Sequence, residues 1–126
     1  MSLGDVAGVA LAGAVGAPAR YLLDGYISDR MAPPLPRGTI VVNISGSFLL
    51  GLLTGLGLYH GLARTPRLVL GTGFCGAYTT FSTFSFQTAR LGEEKEVRAA
   101  ALNVALSVVL STAAAALGLW LAAVAP

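Results

Sequence analysis

The chain has 126 residues, of which 55% are hydrophobic and only 11% are charged, and its formal net charge is +2. Soluble domains carry about 25% charged residues, so this composition excludes an ordinary soluble domain and predicts an integral membrane protein. The basic residues are scattered along the chain, and nothing in their distribution is typical of a nucleic-acid-binding surface. The single cysteine, Cys75, has no partner for a disulfide within the chain.

Four apolar stretches, each near the length of about 20 residues that a transmembrane helix needs, are separated by loops rich in charge or proline. The predicted spans cover residues 3–26, 38–59, 68–90 and 99–124. We interpret the first as a retained span, because no basic segment precedes it and no clear cleavage site follows it. The sequence therefore predicts an all-α membrane protein, with residues 1–126 forming one four-helix subunit.

The basic residues of the loops favour one orientation of this subunit. The side that carries both termini has two of them, Arg64 and Arg67. The opposite side has five: Arg30, Arg37, Arg90, Lys95 and Arg98. Loops with more Lys and Arg face the cytoplasm, so this count favours an orientation with both termini outside it.

Small residues recur along the second span at the spacing that lets helix backbones approach closely. Ser47, Gly51 and Gly55 repeat every four residues, and Gly57 and Gly61 form a second pair. These residues mark helix contacts either within one subunit or between two. A chain this short that moves a solute is expected to oligomerise.

Polar side chains inside the spans are costly in hydrocarbon and indicate a functional path. Arg20 lies in the first span and Asn43 in the second. Asn103, Ser107 and Ser111 follow one another at intervals of four in the last span, and therefore share a helical face. Because these groups are hydrogen-bond donors and no carboxylate lies near mid-membrane, the path suits an anion better than a cation.

The third span contains the segment "GFCGAYTTFSTFSFQT", which combines glycines, hydroxyls and phenylalanines. Its glycines and the pair Thr79–Thr80 predict a break in the helix. Backbone carbonyls freed by such a break need partners in the membrane, and a bound cation can satisfy them. Phe81 and Phe84 could present their electropositive ring edges to an anion or could belong to the core.

The motifs "GAPARY", "GTIVVNISGSFLLG" and "GFCGAYTTFSTFS", together with the polar stripe of the last span, resemble fluoride channels of the Fluc type, also called CrcB. The resemblance covers all four spans in the same order. It implies a subunit of four transmembrane helices with a break in the third, which assembles as an antiparallel, dual-topology homodimer. It also implies two fluoride pores at the subunit interface, in a multi-pass protein of the plasma or inner membrane of a prokaryote.

The resemblance also implies the residues that do this work. The fluoride pore would be lined by the ring edges of Phe81 and Phe84 and by the amide donor Asn43. A polar track of Ser107 and Ser111, with Asn103 at its end, would continue it. The Thr83 hydroxyl and Arg20, near the aqueous entrance, would complete the lining. The backbone carbonyls of Gly76 and Thr79 from both subunits would hold a structural sodium ion. Gln87 stands near a place where the family often has glutamate, so no carboxylate role is expected there.

Two other functions are compatible with a small membrane protein. A subunit of a small dual-topology multidrug transporter would need a buried glutamate, which the spans lack. A membrane assembly factor without transport activity would not explain Arg20, Asn43 and the polar stripe. We do not expect an enzyme, because the sequence contains no nucleophile–base set and no metal-ligand cluster. His60 is expected to be a solvated loop residue.

Overall fold

A computed structural model describes all 126 residues of the chain and shows an entirely helical protein. Five helical segments follow in order: α1 (Leu3–Ser28), α2 (Arg37–Tyr59), α3 (residues 64–78), α4 (Ser82–Glu93) and α5 (Val97–Val124). Three of them, α1, α2 and α5, are long and apolar enough to cross a membrane. The all-α class is therefore confirmed, and the chain is a multi-pass membrane protein.

The third predicted span is divided into two helices. The segment α3 begins as the α-helix Arg64–Arg67, continues as a π-helix over Leu68–Cys75 and ends in a last α-helical turn, Gly76–Tyr78. Thr79 then adopts an extended conformation with φ −80° and ψ 160°, and α4 begins at Ser82. The predicted break is confirmed. The π-helix was not predicted.

The first helix is fixed at its start by a capping box. The Ser2 hydroxyl accepts a hydrogen bond from the Asp5 backbone N–H, while the Asp5 carboxylate accepts one from the Ser2 backbone N–H, both at 3.1 Å. The other carboxylate oxygen of Asp5 accepts a hydrogen bond from the Thr65 hydroxyl at 2.8 Å. One carboxylate thus caps α1 and ties it to the beginning of α3.

Small residues of the second helix pack within the subunit. The α-carbon hydrogens of Gly51 face the backbone of Ala115, those of Gly55 face Ala122, and Gly118 of α5 faces the backbone at Phe48. Reciprocal glycines on α2 and α5 let these two helices approach at backbone distance. The alternative that the sequence left open is therefore resolved for Gly51 and Gly55, which make contacts within one chain.

A second close contact joins the first helix to the π-helix. A Cβ atom on Gly16 would lie 2.5 Å from the Phe74 carbonyl oxygen, and one on Gly73 would lie 2.8 Å from the Val9 carbonyl oxygen. Only glycine fits at such distances. α1 therefore packs closely against the segment that leads into the break.

Two loop predictions need correction. The gap between the third and fourth predicted spans, residues 91–98, is shorter in the structure, because α4 continues to Glu93 and α5 begins at Val97, so only residues 94–96 connect them. His60 is exposed, as predicted, but it is not simply solvated. Its Nε2 atom lies 2.6 Å from the Ala122 carbonyl oxygen, which can only accept, so the ring donates to the end of α5.

Candidate functional site

An open groove of about 290 Å³ runs between α2, the break and α5. It brings together five of the eight predicted pore residues from four separate parts of the chain. The lining consists of amide, hydroxyl, phenyl and aliphatic side chains: Asn43, Ser47, Leu50, Thr79, Thr80, Phe81, Phe84, Ser107, Val108 and Ser111. None of these residues is acidic. The groove therefore offers donors and ring edges, without a carboxylate that would repel an anion.

Asn43 joins the groove to the break. Its Nδ2 atom donates to the Thr80 carbonyl oxygen at 2.9 Å, and its Oδ1 atom accepts from the Thr80 backbone N–H at 2.8 Å. These two bonds replace helical bonds that the break removes, so Asn43 satisfies backbone groups that would be expensive to leave bare in a membrane. The second hydrogen of Nδ2 takes no part in this pair.

The two predicted phenylalanines lie side by side at the mouth of the groove. Their ring centroids are 5.7 Å apart and the rings are tilted by 49°. Phe81 is 78% exposed. In one chain, Phe81 is therefore a surface residue. It does not belong to the core.

The polar stripe of α5 continues from the groove as a line of hydrogen bonds. The Ser107 hydroxyl donates to Asn103 Oδ1 at 3.4 Å, and Asn103 Nδ2 donates to the Thr88 hydroxyl oxygen at 2.9 Å. Thr88 in turn donates to the Phe84 carbonyl oxygen at 2.8 Å. The Ser111 hydroxyl is buried and has no partner. The predicted shared face of Asn103, Ser107 and Ser111 is confirmed.

Three predicted pore residues lie outside the groove. Thr83 uses its backbone N–H to donate to the Thr80 hydroxyl at 3.1 Å, in the first turn of α4, and it does not line the groove. Arg20 is half-buried on α1, a helix that packs against α2 and α3. Asn103 also lies outside the groove, but it contacts a residue that lines it. The roles assigned to Thr83 and Arg20 stay predictions.

The carbonyl groups predicted to hold sodium lie at the break. None of the hydrogen bonds around the break ends on the carbonyl oxygen of Gly76 or Thr79. The N–H groups that would normally reach them are diverted, since the Thr80 N–H bonds Asn43 and the Thr83 N–H bonds the Thr80 hydroxyl. Two unsatisfied carbonyl oxygens in a membrane protein fit the donor set of a monovalent cation.

Sequence reasoning missed several residues that shape the site. Thr88 orients Asn103, and its spacing of four residues from Phe84 was the available signal. Tyr78 shares a hydrogen bond of 2.9 Å with the Ser45 hydroxyl and stacks on Phe74, with ring centroids 5.3 Å apart. These contacts join α2 to the end of α3, and no local pattern indicates them.

Comparison with known proteins agrees with this architecture. The family model described as CrcB-like protein, Camphor Resistance (CrcB), matches residues 7–119. A protein of Leifsonia xyli subsp. xyli named fluoride-specific ion channel FluC 1 is 50% identical over 123 residues, which cover 96% of this chain and 90% of that protein. The protein of Mycolicibacterium paratuberculosis named fluoride-specific ion channel FluC 2 is 52% identical over 115 residues, which cover 91% of each chain.

The helices and the groove define a small multi-pass membrane protein with a polar, carboxylate-free groove on one face. The chain belongs to the CrcB family, because the family model covers most of its length. A more distant relative, the FluC protein of Syntrophotalea carbinolica, is still 43% identical over 115 residues. These relatives are named as channels, in agreement with the expectation that the chain is not an enzyme.

Proposed function

We propose that this chain is the subunit of a fluoride-selective ion channel, which lets fluoride leave the cell passively after it has entered as the neutral acid. The relatives named as fluoride-specific channels support this function. The observation that carries it is the groove itself. Asn43, Phe81, Phe84, Ser107 and Ser111 come together there from distant parts of the sequence, and no acidic side chain accompanies them.

The groove provides the chemistry that a small, strongly hydrated anion requires. The free N–H of Asn43 and the unpaired hydroxyl of Ser111 are donors that replace water around fluoride. Phenyl ring edges carry partial positive charge, and Phe81 and Phe84 line the same groove as these donors. The Ser107 hydroxyl is held by a long bond of 3.4 Å, so its hydrogen can turn towards a passing anion at little cost.

The complete pore would form between two copies of the chain. The groove is open along one side, and the exposed ring of Phe81 lies at its edge. A second copy would cover both and close the conduction path. In this arrangement α3 and α4 together make the third of four membrane crossings, and the two subunits lie antiparallel with dual topology, as the resemblance implies.

A structural sodium ion is part of the proposal. The carbonyl oxygens of Gly76 and Thr79 would hold it, with the same atoms of the partner subunit. Neutral carbonyls suit a monovalent ion better than calcium or magnesium, which prefer carboxylate or water oxygens. When bound, this ion supplies positive charge and satisfies backbone groups at the break. The residues of the break, held by Asn43 and Tyr78, supply the geometry.

Fluoride efflux from liposomes tests the proposal. Purified protein is reconstituted into vesicles loaded with potassium fluoride, and efflux is followed with a fluoride electrode after a potassium ionophore is added. Matched vesicles loaded with potassium chloride serve as the control. We expect rapid loss of fluoride and retention of chloride. Equal release of both anions, or no release of fluoride, would refute the proposed function. Transport of organic cations would instead favour the alternative hypothesis, a subunit of a small dual-topology multidrug transporter.

A further inference from the structure

Tyr78 is buried at the end of α3, directly before the break, and its side chain is held at both the ring and the hydroxyl group. Only 8% of the residue is exposed. Its ring stacks on Phe74, with ring planes inclined by 19°, and its hydroxyl oxygen lies 2.9 Å from the Ser45 Oγ atom of α2. Contacts at the face of the ring and at its tip therefore fix the position of this residue.

The hydroxyl groups of Tyr78 and Ser45 form a chain of hydrogen bonds with a defined direction. The Ser45 hydroxyl has a single hydrogen and donates it to the Val42 carbonyl oxygen at 3.0 Å. Tyr78 is therefore the donor, and Ser45 the acceptor, in the bond between them. Val42 is fully buried, so the chain ends on the backbone of α2 inside the protein.

The same turn of α2 holds the break at two further points. Asn43 bonds the backbone of Thr80, and Gly46 leaves room for the side chains of Thr79 and Tyr78. The N–H and C=O groups of a planar trans peptide point in opposite directions. The bond from the Thr80 N–H to Asn43 therefore turns the Thr79 carbonyl away from Asn43.

Tyr78 lies between the two residues whose carbonyl oxygens are proposed to hold sodium. Gly76 precedes it by two residues, and Thr79 follows it directly. Asn43 fixes the Thr79 side of this pair, while the bond from Tyr78 to Ser45 fixes the Gly76 side. The relative position of the two oxygens thus depends on one turn of α2. The arrangement of carbonyl oxygens is a property by which a site distinguishes monovalent cations.

We propose that Tyr78 is a positioning residue, and that its hydrogen bond to Ser45 makes the break selective for sodium over potassium. Without this bond the end of α3 can move while Asn43 still holds Thr80. The two carbonyl oxygens then lose their fixed separation, and the larger potassium ion can be accommodated. Neither hydroxyl lines the groove. This inference rests on the proposed function, because it concerns the sodium ion that forms part of it.

Thermal unfolding of the purified protein in detergent tests this inference without any measurement of transport. Sodium chloride or potassium chloride is titrated against N-methylglucamine chloride at constant ionic strength. For the unsubstituted protein we expect a lower half-saturating concentration for sodium than for potassium. Tyr78→Phe removes only the hydroxyl group. It should raise the half-saturating sodium concentration about tenfold, the upper end of the range for one hydrogen bond, and leave that of potassium nearly unchanged.

Ser45 provides a second set of variants, and its exposed position in the single chain makes it tolerant of substitution. Ser45→Thr keeps a hydroxyl group and should keep the preference for sodium, whereas Ser45→Ala should lose it. The double variant Tyr78→Phe with Ser45→Ala should resemble the single variants, because both substitutions remove the same bond. Tyr59→Phe is the control, since Tyr59 is an exposed tyrosine at the end of α2 whose hydroxyl makes no hydrogen bond within the chain.

The ratio of the half-saturating concentrations of potassium and sodium separates positioning from ordinary stabilisation. A purely structural role of Tyr78 would lower the unfolding temperature equally in all three salts and leave this ratio unchanged in Tyr78→Phe and Ser45→Ala, which would overturn the proposal. Equal stabilisation of the unsubstituted protein by sodium and potassium, or none by sodium, would also overturn it. A failure of the proposed function would differ, because the unsubstituted protein would then pass no fluoride from liposomes, whatever the salt dependence of its unfolding.

Discussion

Asn43 and Thr80, which are 37 residues apart in the sequence, are joined by two hydrogen bonds of 2.9 and 2.8 Å between one side-chain amide and one backbone unit. This pairing settles which way the amide points. Since Oδ1 receives the Thr80 N–H and Nδ2 donates to the Thr80 carbonyl, the part of the amide left for the groove is an N–H donor. The contact that holds the break therefore also determines that Asn43 offers a hydrogen to an anion.

The first prediction concerns this amide. Asn43→Asp keeps an acceptor for the Thr80 N–H, but it places a second acceptor against the Thr80 carbonyl and a negative charge in the groove. Asn43→Ala removes both bonds and leaves two backbone groups without partners. We expect fluoride efflux to be lost in both variants, and the free energy of unfolding to fall by ~1–3 kcal/mol in Asn43→Ala, the cost of unsatisfied buried groups.

Thr54→Ala is the matched control for these variants. Thr54 is also a polar residue of α2, but its hydroxyl only donates to the Leu50 carbonyl oxygen one turn earlier. Efflux and thermal unfolding in detergent should be close to those of the unsubstituted protein. Normal fluoride efflux from Asn43→Asp would show that the Asn43 donor has no part in conduction.

The second prediction concerns the two rings at the mouth of the groove. Replacing Phe81 or Phe84 by isoleucine keeps apolar bulk and removes the electropositive ring edge. We expect fluoride efflux to fall about tenfold, which corresponds to ~1.4 kcal/mol of lost stabilisation. Phe86→Ile is the control, because Phe86 is a similarly exposed ring of α4 that does not line the groove. Equal efflux from all three variants would assign Phe81 and Phe84 to packing alone.

The third prediction separates conduction from stability along the polar stripe. Ser111 has a buried hydroxyl without a partner, so Ser111→Ala removes no hydrogen bond and should leave the free energy of unfolding unchanged or higher. Its effect on fluoride efflux should be mild, because other hydroxyls and water compensate. Asn103→Ala breaks the links to Thr88 and Ser107 and should lower both efflux and stability. Loss of stability in Ser111→Ala would mean that its hydroxyl is paired.

Much of this architecture follows from local pattern, and the remainder depends on contacts between distant residues. Hydropathy located the long helices, and glycines followed by Thr79 and Thr80 located the break, because each of these patterns lies within one continuous stretch of the sequence. The period of four on α5 placed Ser107 and Ser111 on one face. The π-helix over Leu68–Cys75 arises where α1 packs against glycine backbone, and no sequence period marks such a contact.

The relation between residues on different helices was harder to predict. Asn43 was expected to donate to fluoride, and no local pattern indicated that half of its hydrogen-bonding capacity would hold Thr80. Thr83 lies in the same motif as Phe81 and Phe84, yet the restart of the helix at Ser82 turns it away from the groove. Arg20 could not be placed without knowing which helices are neighbours, since α1 packs on α2 and α3 and contributes no residue to the groove.

The fourth prediction is a homodimer held by one sodium ion at the break. The Gly76 and Thr79 carbonyl oxygens have no hydrogen-bond donor within the chain, and a two-fold axis would bring four such oxygens together. Sodium should therefore stabilise the dimer by mass action, reaching ~2.7 kcal/mol at about 100 times the Kd. Exchange of sodium for N-methylglucamine, which is too large for the site, should lower the thermal unfolding temperature and increase the monomer fraction measured by light scattering.

Gly46→Ala tests whether this sodium dependence comes from the geometry of the break. A Cβ atom on Gly46 would collide with the Thr79 side chain and lie 3.2 Å from the Tyr78 ring, so the break must shift and the two carbonyls must move. The stabilisation by sodium should then shrink. Gly71→Ala, whose Cβ would meet only the Leu50 side chain at 3.4 Å, should keep it. If sodium stabilises both variants equally, or does not affect the unsubstituted dimer, then the carbonyls of the break hold no ion, and the subunits are joined by packing alone.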